Sequence, residues 1–119
     1  MKQKQKNVDV EALRTELAEQ REAEERAKRT RAEQIADYLC QRINQRRFRV
    51  VTNQPNPNAR YQNVNGVSIS FWYFGRRDVE ELVNEIMVER GFNGISWNSN
   101  DMLFFRVEVI VITGHGQPQ

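Results

Sequence analysis

Little in this chain of 119 residues is available for covalent or metal chemistry. Its one cysteine, Cys40, can form no intrachain disulfide, a usage that fits a reducing cytosol. Its one histidine, His115, sits between glycines near the C-terminus. A zinc site needs about four ligands at recognisable spacing, and nucleophilic catalysis needs a serine or cysteine served by a fixed base. Neither set is visible, nor is a glycine-rich phosphate loop or dinucleotide fingerprint. Asp101 and Glu108 flank a hairpin turn and read as a turn former and a surface charge. The sequence therefore reads as a non-enzyme without cofactor or metal. Long apolar runs are missing too. None approaches the roughly 20 residues of a membrane-spanning helix. The opening MKQKQKN lacks the apolar stretch of a secretory signal. The expected location is the cytoplasm.

A different absence is more informative. Between residues 38 and 77 there is no aspartate or glutamate, while seven arginines occur: Arg42, Arg46, Arg47, Arg49, Arg60, Arg76 and Arg77. Phe48, Tyr61, Phe71, Trp72, Tyr73 and Phe74 are interleaved with them. Residues 1 to 37 balance nine basic against nine acidic groups, whereas residues 78 to 119 set Arg90 and Arg106 against seven acids. Solubility alone does not require charge to be segregated in this way. Arginines beside aromatics, with no carboxylate to repel phosphate, suit a nucleic-acid strand.

Helical patterning runs from about Asp9, a plausible N-cap, to about Arg47, uninterrupted by glycine or proline. Its first part carries a short apolar stripe, Val10, Leu13 and Leu17, which invites self-association. Continuing that heptad meets Gln20, Glu24 and Arg31, so a sustained coiled coil is not expected. The middle is charged, with Glu22–Arg26, Glu24–Lys28 and Glu25–Arg29 spaced to pair along the helix. A plain solvated helix is the alternative for this region. The last part places Ala32, Ile35, Ala36, Leu39 and Ile43 on one face, so the helix should be anchored there and project outward.

Residues 48–52, FRVVT, read as a strand. Residues 53–66 read as a polar loop that Asn65-Gly66 closes as a turn. Within it Arg60 and Tyr61 form either a base-stacking pair or part of an ordinary loop. Residues 67–74, VSISFWYF, alternate. Val67, Ile69, Phe71 and Tyr73 take the core side, and Ser68, Ser70, Trp72 and Phe74 the other. Trp72 and Phe74 are left as a stacking platform, an oligomer contact or a floor beneath the long helix. After Gly75, Asp78 reads as the cap of an amphipathic, outwardly acidic helix with Glu81 completing a capping box, and Gly91 ends it. Residues 94–98 and 103–113 read as strands. The second has an apolar face, and its opposite face carries Ile110 and Ile112, which also need cover.

The expected fold is α+β: a long N-terminal helix followed by β-β-α-β-β in a mainly antiparallel four-stranded sheet. Residues 1–8 would be a disordered basic tail, 9–37 a projecting charged helix, 38–113 a compact nucleic-acid-binding domain and 114–119 a flexible tail. SFWYFGRR lacks the glycine and aromatic order of the RNA-recognition motif, and the second helix is too acidic to enter a major groove. Single-stranded nucleic acid is the better fit. Arg46, Arg47, Arg49, Arg60, Arg76 and Arg77 would meet phosphates, and Tyr61, Trp72 and Phe74 would stack on bases. A protein-interaction or assembly module, using the long helix and aromatic face, is the alternative. In its overall organisation, a long charged helix, a compact α+β body and the SFWYFGRR strand, the chain resembles small phage-encoded single-stranded-DNA-binding proteins that serve as RNA polymerase cofactors. That resemblance implies sequence-tolerant binding of single-stranded DNA, or RNA, as a homo-oligomer. It also implies an RNA polymerase partner and, for a phage protein, the host cytoplasm.

Overall fold

The computed structural model describes residues 9–55, 63–72, 77–98 and 106–115, with the backbone alone at Arg77 and Asn98. The α+β order is as expected. Helix α1 spans Val10–Asn44, strand β1 Arg49–Pro55 and strand β2 Asn63–Trp72. A 3-10 turn at Arg77–Val79 leads into helix α2, Glu80–Glu89, followed by β3, Gly94–Asn98, and β4, Arg106–His115. The strands form one antiparallel sheet in the order β1-β2-β4-β3. The expectations for residues 1–8, the turn at 99–101 and the last four residues lie outside the described residues, as do Tyr73, Gly75, Leu103 and Phe105.

Asp9 caps α1 by accepting hydrogen bonds from the backbone N–H groups of Glu11 and Ala12 at 3.0 and 3.3 Å. The helix stops at Asn44, short of the expected Arg47. The N–H of Arg47 returns to the carbonyl of Arg42 at 2.8 Å, and the N–H of Arg46 to that of Ile43 at 3.0 Å. This six-to-one, five-to-two pattern requires a left-handed residue, and Arg46 supplies it with φ of 57°. Helix α2 ends by the same pattern through Phe92 and Gly91, where Gly91 has φ of 100°.

Both helices cover one face of the sheet. Ala32, Ala36 and Leu39 of α1 pack with Val83, Ile86 and Met87 of α2 over Ile69, Ile95, Val107, Val109 and Val111. The two alanines let α1 approach closely. Arg90 ties the helices together, donating to Asp37 Oδ1 at 2.8 Å and to Cys40 Sγ at 3.5 Å. The hydrogen bond to Cys40, then that to Asp37, raises the Arg90 pKa above its ordinary value. From Val10 to Ala27 every residue of α1 is exposed. About four turns of helix separate Leu17, the last residue of the apolar stripe, from Ala32 at the packed end. At 3.6 residues per turn Leu17 falls on the side of the axis that carries Ile35, and the stripe as a whole lies about 60° round from the centre of the packed face. Of the expected intrahelical pairs, Glu24–Lys28 and Glu25–Arg29 give way to others. Lys28 lies 3.8 Å from Asp78 and 4.0 Å from Glu25, while Arg29 meets Glu33 at 3.1 Å and Glu89 at 3.4 Å.

Several expectations are corrected. Asp78 does not cap α2: the cap position is Val79, with no side-chain bond, and the Asp78 carboxylate faces Lys28. Asn65-Gly66 is not a turn but part of β2, which begins at Asn63. A β-carbon at Gly66 would collide with the backbone carbonyl oxygen of Val111, so glycine answers a close strand approach. Asn65 Oδ1 accepts from the N–H of Asn53, itself left-handed at φ 54° inside a bulge of β1. Gly114 and His115 are not tail: they pair with Asn65 and Val64. As expected, by contrast, the second apolar face of β4 is covered, and the cover comes from within the chain, where Ile110 and Ile112 cluster with Val51 and Val64. No helix among the described residues is long and apolar enough to cross a membrane.

Candidate nucleic-acid interface

The face of the sheet turned away from the helices is built by strand alternation. On β2 it carries Trp72, Ser70, Ser68 and Gly66 in succession. Antiparallel register sets Arg106 opposite Trp72, Glu108 opposite Ser70 and Ile110 opposite Ser68 on β4, and Arg49 opposite Ser68 on β1. The face therefore grades from aromatic and polar at the Trp72–Arg106 end to apolar at the Val51–Ile112 end.

Trp72 is 63% exposed, which excludes a floor beneath the long helix. Its neighbours Phe71 and Ile69 point the other way. Phe71 meets Tyr38 at 5.5 Å and Trp97 at 6.4 Å between ring centroids, as the alternation required of a core residue. Beside Trp72 lies an open cleft of about 370 Å³ lined by Arg49, Ser68, Ser70, Arg106 and Glu108. At its centre Glu108 Oε1 accepts from Ser68 Oγ at 2.7 Å and from the Arg49 guanidinium at 3.2 Å. Arg49 remains largely solvent-accessible, so the pair is worth about 0.2–1 kcal/mol and chiefly aims the guanidinium across the face. The cleft and the Trp72 ring beside it thus offer a π-surface, two guanidinium groups, two hydroxyls and one carboxylate acceptor. A base can stack on the first, a phosphate can meet the second, and hydroxyl and carboxylate can bond exocyclic base groups.

Of the residues expected to contact nucleic acid, Arg49 and Trp72 share this face. Arg46 and Arg47 are exposed in the turn leading into β1, which enters the sheet from the Trp72 end by register. Arg60, Tyr61, Phe74 and Arg76 lie outside the described residues, as does the side chain of Arg77. Val10, Leu13 and Leu17 are exposed at the far tip of α1, remote from the cleft. Arg106 and Glu108 were not expected at the site, and Ser68 and Ser70 were expected on the Trp72 face but not as contacts. Alternation had grouped Arg106 with Glu108, but only the β2–β4 register joins that group to Trp72. The absence of acids is thus a property of the segment and not of the surface it forms.

Among the described residues no group of three or more histidine, cysteine, aspartate or glutamate side chains is placed to hold a metal ion. Comparison with protein-family models, curated proteins and solved structures finds no match for this chain.

Proposed function

We propose that this chain is a sequence-tolerant single-stranded-DNA-binding protein that also accepts RNA, acting as an accessory factor in transcription or replication. The observation that carries the reading is the exposed Trp72 ring beside Arg106 and the Arg49 cleft. A large aromatic surface left in water on an open sheet face, with cations on neighbouring strands, matches the needs of a stacked base and its phosphates. The accessory role and an RNA polymerase partner rest on the resemblance in overall organisation alone.

The test is a fluorescence titration of the full chain with single-stranded DNA, single-stranded RNA and duplex DNA at two salt concentrations. Tryptophan quenching by single strands is expected, with a log–log salt slope of about −0.7 per phosphate contact. Trp72→Ala should weaken binding by about 1–3 kcal/mol while leaving the melting temperature unchanged. Absence of binding at low salt rejects the reading. A second reading, a protein-interaction or assembly module, is favoured by the uncovered Val10, Leu13 and Leu17.

A further inference from the structure

The tip of α1 carries more than an apolar stripe. With Val10 and Leu17 at heptad position a and Leu13 at d, the flanking g positions are Asp9 and Glu16, and the flanking e positions are Arg14 and Arg21. Every residue from Asp9 to Arg21 is exposed, so neither seam nor flank is covered within the chain. Val10, Leu13 and Leu17 retain 56%, 43% and 51% of their surface. The stripe lies about four turns of helix before the packed end at Ala32, and the body of its own chain leaves it uncovered.

The flanking charges identify the occupant. In a parallel pair, g of one helix faces the following e of the other, which sets Asp9 against Arg14 and Glu16 against Arg21, opposite signs in both cases. In an antiparallel pair e faces e and g faces g, which sets Arg14 against Arg21 and Asp9 against Glu16, like signs in both. We propose that the tip of α1 pairs in parallel with the same segment of a second copy of this chain. A β-branched valine at a with leucine at d favours two strands. Helix nucleation, the usual obstacle for so short a seam, is already overcome because the body holds α1 helical. Glu24 at the following a position repels its copy, so the helices part beyond Gln20. The pairing is therefore short, reversible and confined to the tip.

Sedimentation equilibrium of the full chain over a wide concentration range tests this with Glu16→Lys and Arg21→Glu, each alone and mixed in equal amounts. Circular dichroism verifies that helix content is retained. The wild-type chain should dimerise reversibly. Each single reversal places two like-charge contacts across the two-fold seam and should raise the dissociation constant roughly tenfold. The mixture should restore affinity close to that of the wild type, since in the mixed pair position 16 of each copy meets a position 21 of opposite sign. Strengthening by either reversal would establish the antiparallel arrangement and overturn the proposal. So would a monomeric wild-type chain, or association that neither reversal changes.

Discussion

The two halves of α1 have the same helical geometry and opposite relations to the rest of the molecule. From Ala32 to Ile43 the helix is held by what it touches: two alanines and Leu39 without solvent exposure, a sulfur contact from Cys40 to Met87 at 3.9 Å, and the Arg90 clamp. From Val10 to Ala27 every residue faces solvent, and the helix persists through the Asp9 cap, strong helix formers and continuity with the anchored half. Helical sequence and helical stability are thus separable here, and substitutions should separate them.

The largest contrast is between two leucines. Leu39→Ala should destabilise the fold by about 2–5 kcal/mol through lost burial and a cavity, whereas Leu17→Ala should change it by less than about 0.5 kcal/mol. Chemical denaturation of the two variants at a concentration where the chain is monomeric measures both. Equal losses would mean that the tip is packed in solution. A smaller contrast comes from two alanines. Ala36→Leu forces a side chain into the α1–α2 seam and should cost about 1–3 kcal/mol, while Ala23→Leu meets only solvent and should be near neutral. The smallest effect has the opposite sign. Arg46 is left-handed where α2 uses Gly91, so Arg46→Gly should stabilise the protein by about 1 kcal/mol. If Arg46 meets phosphate, the same variant should bind single strands less tightly with a shallower salt slope, showing stability and binding in opposition at one residue.

What could be read from sequence was whatever depends on neighbours along the chain. The Asp9 cap, the Ala32–Leu39 face, the α2 stripe, its Gly91 stop and the alternation of β2 all follow from spacings of two, three or four residues. The errors lie where distant residues decide. Asn65-Gly66 has the local signature of a turn, but Gly66 is required by the Val111 carbonyl on a strand far along the chain. Asp78 sits in a capping pattern, yet it faces Lys28, fifty residues earlier in the sequence. At the candidate site, alternation placed Trp72, together with Phe74, on the face opposite the core. Arg106 opposite Trp72, and the Glu108 carboxylate beside Arg49, became neighbours only through strand register, which no single window of sequence contains.

The stretch between Leu17 and Ala32 fixes an angle as well as a distance. It is about 22 Å of helix, and each residue in it turns everything beyond by about 100°. At present Leu17 stands five full turns from Ile35 on the same side of the axis, and one residue fewer or more would turn the tip stripe by about 100° relative to the packed face. The direction in which the body is held relative to anything grasping the tip is therefore encoded by a residue count. The identities of Glu22, Ala23 and Glu25 matter little to it.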